Sequence, residues 1–425
     1  MTAPAPELVV SKVRGWCPGA LRPMQSGDGL IVRLRPRGHL TPAQLLAVAA
    51  LAERHGNGLI DLTRRANIQM RGVKAEGLPA LWAGLAELHL LDEAAEQEAV
   101  RNVLSSPLAG IDHSELLDPR PLVESLESAL SHRSELWALP AKFCFVVDGG
   151  GALPLDEERA DIRLLAVQNE SRINLAVGLD GAEDVEWLGA AAPDLACAAA
   201  LDLAARLVRL NLRAGIRMRD VPDPAKRQLQ AGVARLTPLR SAPAFRAKQH
   251  PLGVIANCAT PTVAFAAPFG RIDAVALRRL GQCAAEVGAR EVRISPWRSL
   301  YVPVPDREAG LSMIAEALEG GLIVDPANPL LSIDACPGVA GCTSSQVDTR
   351  AAAKRLAPAL GRMGIRTCHV SGCSKGCARS GPADLTLVGV GDCFGVLRYD
   401  TAQGKPLSFV RPASLPDLPE ALNST

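Results

Sequence analysis

Aromatic residues make up only 3% of the 425 residues, and the formal net charge is +1. A nucleic-acid binder needs a basic excess and aromatic platforms for stacking bases, so both scarcities argue against one. No window approaches about eighteen uninterrupted apolar residues. The most apolar stretch, "PDLACAAALDLAARLVRL", carries charges at helical spacing and reads as a helix outside any membrane. The opening "MTAPAPELVVSKVRGWCPG" has no basic region followed by an apolar core, so it does not read as a secretory signal. Together these absences predict a cytoplasmic globular protein, long enough for several domains. Histidine is sparse, at seven, but there are eleven cysteines. In a reducing compartment, metal binding or burial explains cysteines better than disulfides do.

An internal duplication organises the chain. "GHLTPAQLLAVAALAERHGNGLIDLTRRANIQMRGV", from Gly38, aligns without gaps on "GRIDAVALRRLGQCAAEVGAREVRISPWRSLYVPVP", from Gly270. Leu40 then falls on Ile272, Gly56 on Gly288, Leu62 on Ile294 and Ile68 on Leu300. Each copy begins with an apolar pattern of helical period, ends that helix at glycine and continues into a strand-like run. Pro42 suits a helix start. The copies predict two α+β half-modules of ferredoxin-like type. The duplication continues from "RNVLSSPLAGIDH" to "SIDACPGVAGCTS", and from "LPAKFCFVVDGGG" to "HVSGCSKGCARSG", with Ser106 roughly where Cys336 stands. "GLDGAEDVEW" and "RDVPDPAKRQLQ" read as linkers, and the stretch after "DTAQGKP" as an edge fading into a loose tail.

Cysteine pairs occur in the second copy only: Cys336 and Cys342 with five residues between, then Cys373 and Cys377 with three. A 4Fe–4S cluster needs four thiolates aimed inward by flexible turns, and "PGVAG" and "SKG" supply such turns. Structural zinc favours tighter pairs, which five and three match poorly. A disulfide clasp and buried free thiols are the remaining readings. Cys144, Cys197, Cys258 and Cys283 sit in apolar contexts and read as buried small hydrophobes.

The first half is basic. Seven arginines stand between Arg33 and Arg71 against two acids, Glu53 and Asp61. Arg33 and Arg35 alternate, so a strand would present both on one face. "LTRRANIQMRG" adds Arg64, Arg65, Asn67, Gln69 and Arg71, a set of planar forks and neutral donors suited to carboxylates. Arg101, Lys142 and Lys375 lie in turns of the repeat and extend the same surface. A solvated strand face is the bland reading, and it fits Arg37 and Arg54 best. A polyanionic small molecule suits the rest.

The duplicated modules, "LTRRANIQMRG", "RNVLSSPLAG", "LPAKF" and the cysteine set resemble the sulfite/nitrite reductase superfamily over nearly the entire chain. The opening "VRGWCPGALRPMQSGDGLIVRLRPRG", with "NGLIDLTRRANIQMRG" and "HVSGCSKGCA", is similar to the precorrin-3B synthase family within it. The resemblance implies an α+β fold in which two ferredoxin-like half-modules pair in one domain. Two larger α+β repeat domains would complete a central tetrapyrrole cleft. The expected boundaries are 1–95, 96–240, 241–325 and 326–425. It implies a 4Fe–4S cluster on Cys336, Cys342, Cys373 and Cys377, the last bridging to siroheme iron in the reductases. Tetrapyrrole carboxylates would be held by Arg33, Arg35, Arg64, Arg65, Asn67, Gln69, Arg71 and Arg101, with Lys142 and Lys375 as catalytic candidates. The reductases carry a second lysine where Cys144 stands, so the resemblance to an anion-reducing site is weaker.

The implied reaction is O2-dependent hydroxylation of precorrin-3A at the meso carbon between rings D and A, closed by a γ-lactone from the ring-A acetate, in cobalamin biosynthesis. The implied partners are precorrin-3A, NADH or an electron-donating reductase, and neighbouring enzymes of that pathway, with no nucleic acid and no membrane. A mononuclear non-haem iron is implied as well. Its ligands are not evident: His113 begins the nearest His-x-Glu pair, with Glu115, and His369 and Cys17 are further candidates. A siroheme-dependent sulfite or nitrite reductase and a non-catalytic tetrapyrrole or cluster carrier are the alternatives.

Overall fold

The computed structural model describes residues 17–418 apart from 170, 171, 214, 232, 234, 235, 248 and 250. The part of the opening motif before Cys17 lies outside the described residues. The first half-module runs β1 (Met24–Ser26), β2 (Gly29–Leu34), β3 (His39–Leu40), α1 (Pro42–His55), β4 (Leu59–Leu62), β5 (Ile68–Val73) and α2 (Leu78–Glu87), and α3 (Ala95–Val100) after it packs with the first large repeat. The first large repeat follows with β6 (Val103–Ser105), α4 (Arg120–His132), β7 (Phe145–Asp148), β8 (Ile162–Asn169), β9 (Arg172–Asp180), β10 (Val185–Ala191), α5 (Pro193–Arg209) and α6 (Asp223–Gln230). The second half-module has β11 (Gly253–Ile255), β12 (Thr262–Ala266), β13 (Arg271–Asp273), α7 (Ala274–Glu286), β14 (Val292–Ile294), β15 (Ser299–Pro303) and α8 (Arg307–Glu319). The second large repeat has β16 (Ile333–Ala335), α9 (Thr349–Leu360), β17 (Cys368–Ser371), β18 (Ala383–Val390), β19 (Cys393–Asp400) and β20 (Ser408–Val410).

Equivalent helices start on equivalent caps. Thr41 caps α1 in a box with Gln44 and with Pro42 in its first turn, while Asp273 accepts from Ala276 N to cap α7. Each half-module then lends a short strand to its twin. One sheet has the order β1-β2-β5-β4-β13 and the other β11-β12-β15-β14-β3, so β13 joins the first copy and β3 the second. Both sheets turn one face into a shared core, where Val32, Ile60, Met70, Val263, Ile294 and Val302 meet α1 and α7. The swap makes the two half-modules one folding unit. The turns β4–β5 and β14–β15 match down to the backbone: Ala66 and Arg298 hold φ of 52° and 62° at the same place in each. That left-handed conformation is uncommon outside glycine, so the shared turn is a constraint of the loop and not of its sequence.

The large repeats also share one plan, β6, β7 and β8 parallel with β9 antiparallel, and β16, β17 and β18 parallel with β19 antiparallel. What separates the halves is the outward face of each half-module sheet. Across the first sheet runs a polar row, Arg33 beside Gln69 beside Asp61 beside Arg271. The equivalent row in the second sheet is Ala264, Tyr301, Arg293 and His39. Ala264 and Tyr301 are sealed in an apolar cluster with Leu104, Cys144, Val146 and Trp297. One inter-repeat space is filled with hydrocarbon, and the other keeps its polar lining.

Two sequence expectations change. "GLDGAEDVEW" forms the turn from β9 into β10, and "RDVPDPAKRQLQ" forms α6 with the turn before it, so neither is a linker. The C-terminal stretch forms an edge to Leu418, where Leu415 and Leu418 pack into the core over α9, and the tail expected after it lies outside the described residues. Cys258 and Cys283 are half-buried, unlike the enclosed Cys144 and Cys197.

Where the second repeat places thiols after its strands, the first places carboxylates that tie their own loops. Asp112 accepts from Ala152 N at 2.6 Å, Asp148 from Gly150 N at 2.8 Å, and Glu115 from Gly110 N at 2.7 Å. Burial, helped by Asp112, Asp118 and Asp148, raises Glu115 to about 7 against the Gly110 hydrogen bond. A raised acid binds its proton more tightly when folded, so this contribution is complete below the usual 4.5 and is lost as pH rises through about 7. Glu115→Gln should therefore flatten the fall in melting temperature between pH about 5 and about 8. Parallel melting curves for variant and parent would refute this.

Candidate functional site

Cys336 directly follows β16, Cys342 follows a single turn of 3-10 helix, and Cys373 and Cys377 follow β17. The Cys336 sulfur accepts from Gly372 N at 3.2 Å, and Thr349 Oγ1 lies 3.9 Å away. Gly338 bends this turn with φ of 66°, where an added Cβ would meet Thr349 Oγ1 at 2.7 Å. Desolvation, then the nearby Cys336, Cys373 and Cys342, raises the Cys377 thiol, which shows that the four sulfurs are electrostatic neighbours. All four are free. Among the described residues no three His, Cys, Asp or Glu groups are placed to hold a single ion. A four-iron cubane spreads its thiolates wider than one ion does, and backbone amides such as Gly372 N suit its sulfur-rich surface. The residues present fit the cluster.

The first half-module braces this turn. Ser26 Oγ and Arg71 Nη2 donate to the Gly341 carbonyl at 2.7 and 2.9 Å. A side chain on Gly27 would meet Thr343 N at 2.9 Å, so the β1–β2 turn lies directly on the cysteine turn. Arg71 is buried between Asp28 (2.7 Å) and Asp61 (3.4 Å). Asp61 also pairs with Arg271 (2.7 Å) and Arg350 (3.5 Å). Against its burial, these arginines hold Asp61 below the usual carboxylate range.

The other predicted contacts divide in two. Arg33 donates to Gln69 Oε1 at 2.6 Å and faces outward on the polar row; burial lowers it to about 10, with Cys17 opposing. Arg65 donates to the Lys142 carbonyl at 2.7 Å, and its Nη1 has no hydrogen-bond partner among the described residues. Half-exposed Arg64 pairs with Asp334 at 2.5 Å. Asn67 is buried in the β4–β5 turn, its backbone N–H donating to Thr63 Oγ1. Arg35 and Arg101 are different: they are buried against Glu98 (2.8 Å) and Asp92 (2.8 Å) respectively. With Arg71, they are held by the chain's own carboxylates, so they brace the walls of the site. Lys142 is exposed, and Lys375 Nζ reaches Ser344 Oγ at 3.2 Å.

The structure assembles no ligand set for a mononuclear iron among its described residues. His113 is exposed and does not converge with Glu115 on a common point. Cys17 is half-buried in a cavity of about 190 Å³ with Arg35, Glu98 and Trp137. His369 is fully enclosed, and burial drives it down to about 4. A larger cavity, about 530 Å³, lies between Arg35, Arg65, Arg101 and α4, and no cluster cysteine lines it.

Sequence reasoning missed the second half's contribution. Asp334 gathers Arg64, Arg298 (3.3 Å) and Arg379 (3.2 Å) from three different segments. Against its burial, these three hold Asp334 below the usual carboxylate range. Arg271 ends the polar row only because β13 is exchanged between copies. The duplicated pattern was the available signal, since Arg298 stands on Ala66 when the copies are aligned.

Comparison with known proteins agrees with this architecture. Residues 22–88 match the nitrite/sulfite reductase ferredoxin-like half domain, and residues 96–208 match the nitrite and sulphite reductase 4Fe-4S domain. The second match falls on the repeat without the cysteine pairs, as a shared scaffold allows. The chain aligns over 93% of its length with the solved structure of the Mycobacterium tuberculosis NirA protein, of which it covers 80%, at a TM-score of 0.73 and 23% identity. A ferredoxin–nitrite reductase of Synechococcus elongatus is 27% identical over 87% of this chain and 77% of that protein. The precorrin-3B synthase of a Sinorhizobium species is 33% identical over 94% of this chain and 86% of that protein. With two swapped half-modules, a cysteine quartet and this similarity over nearly its whole length, the chain belongs to the precorrin-3B synthase family of the sulfite/nitrite reductase superfamily.

Proposed function

We propose that this protein is a precorrin-3A monooxygenase that inserts one oxygen atom of O2 at the meso carbon between rings D and A. The ring-A acetate oxygen then adds to the neighbouring ring carbon, consuming its C=C bond to the meso carbon and passing its proton to the meso oxygen, which closes a γ-lactone. The second oxygen leaves as water with two electrons and two protons from NADH or an electron-donating reductase. The observation that carries this reading is the polar row Arg33–Gln69–Asp61–Arg271 on the half-module sheet that braces the cysteine turn, where the other half is packed with apolar side chains. Precorrin-3A is a macrocycle fringed with carboxylates, and arginine forks match them in pairs.

Arg33, Arg64, Arg65, Asn67 and Gln69 hold the substrate's carboxylates, while Arg35, Arg71 and Arg101 keep the surrounding walls in place. Arg64 exchanges Asp334 for a substrate carboxylate. Lys142 and Lys375 orient the lactone-forming acetate and stabilise developing negative charge. When bound, the cluster supplies single electrons to the site.

Anaerobic purification with iron, sulfide and tetrapyrrole analysis, followed by precorrin-3A and 18O2, tests the reading. One 18O per product and no siroheme in the protein are the expected results. Stoichiometric siroheme with turnover of sulfite or nitrite would replace it with the reductase reading. Arg64→Ala should weaken precorrin-3A binding roughly tenfold or more, as loss of a charge-assisted pair implies, with iron content unchanged. Parallel loss of iron and binding would instead make Arg64 a residue of folding.

A further inference from the structure

His369 sits in the middle of β17, with no exposed surface, and neither ring nitrogen has a hydrogen-bond partner among the described residues. An imidazole carries a donor and an acceptor, and leaving both unpaired in a protein interior is costly. Its neighbours in the sheet do not serve it. Asp334 on β16 is turned to Arg64, Arg298 and Arg379, and Thr386 on β18 donates to the Asp400 carbonyl at 2.8 Å.

What faces the ring is the cysteine loop. The adjacent Cys368 and Val370 point to the core over α9, so His369 points to the opposite face of the sheet. There a Cβ on Gly376 would lie 3.6 Å from His369 Cε1. That carbon stands between the two ring nitrogens, so the nitrogen-bearing edge is turned to the residue before Cys377.

The duplication supplies a control inside the molecule. In the first large repeat the row equivalent to Asp334–His369–Thr386 is Leu104–Val146–Arg163. Val146 is packed in hydrocarbon, and Arg163 turns to the Leu155 and Glu158 carbonyls of its own repeat. Among the described residues the buried histidine occurs only in the half that carries the cysteines.

We propose that His369 is a positioning residue of the cluster site, whose ring N–H donates a hydrogen bond to a cysteine sulfur of the Cys373–Cys377 loop once the cluster is in place. Such a bond withdraws charge from the sulfur and favours the reduced cluster, in addition to fixing the loop. The inference rests on the cluster assignment, so it is read only on protein whose iron and sulfide show a complete cluster. Absence of any cluster would fail the assignment itself.

The test uses the full-length protein labelled with 15N-histidine, reduced, and examined by pulsed electron paramagnetic resonance. Coupling of one histidine nitrogen to the cluster spin is expected, disappearing in His369→Leu together with a shift of the reduction potential to more negative values. His369→Gln, which keeps a donor, should restore part of the potential. Absence of histidine coupling in the parent protein overturns the proposal without any variant. Coupling or potential unchanged in a fully loaded His369→Leu does the same.

Discussion

Cys336→Ala should abolish cluster binding, leaving iron and acid-labile sulfide at background and reducing product formation by roughly a hundredfold or more. The four sulfurs do not contribute alike. Cys377 is exposed at the end of its loop, whereas Cys336 is buried, accepts from Gly372 N at 3.2 Å and sits above the Thr349 hydroxyl. Thr349 in turn donates to the Cys336 carbonyl at 2.6 Å, fixing this backbone before any cluster arrives. Cys336 is therefore the preformed corner of the site, with its sulfur held by groups that alanine cannot engage. Cys377→Ser keeps an oxygen ligand at an open position and should retain a partial or labile cluster. Equal, intact iron content in the parent and in Cys336→Ala would exclude this sulfur as a ligand.

Asp61→Leu is expected to destabilise the fold by about 3–5 kcal/mol, the usual consequence of removing one partner from a buried ionic group. Asp61 is 6% exposed and meets Arg71, Arg271 and Arg350, three guanidiniums brought together from both halves of the chain. Among the described residues only Asp28 remains to balance them, and it is bound to Arg71 alone among the three. The urea midpoint should fall markedly. The cysteine turn should loosen as well, because Arg71 also holds the Gly341 carbonyl. Asp61→Asn, which keeps the shape and one acceptor, should show an intermediate loss. A loss below about 1 kcal/mol in Asp61→Leu would mean that water reaches the three guanidiniums, placing them in an open cleft instead of a bracing wall.

The sequence by itself determined the duplication, its helix starts and the identity of the cysteine quartet. These depend on local periodicity, on capping residues such as Thr41 and Asp273, and on spacing, all of which are readable along the chain. It also marked the basic run from Arg33 to Arg71, because charge excess needs no knowledge of contacts. It did not reveal which arginines remain available. Arg35, Arg71 and Arg101 have the same chemistry as Arg33 and Arg65, but they are neutralised by Glu98, Asp28, Asp61 and Asp92, as Arg64 is by Asp334, and those pairings are set by tertiary packing.

The exchange of β3 and β13 between the half-modules was equally invisible, since two-residue and three-residue strands carry too little pattern to specify a partner. That exchange puts Arg271 beside Asp61, and the fold of the loop after β17 brings Gly376 against the His369 ring. Local chemistry picked out the cysteine quartet and the scaffold. Only the tertiary structure decided which charges neutralise each other and which stay unpaired, because a charge's availability depends on what is folded against it.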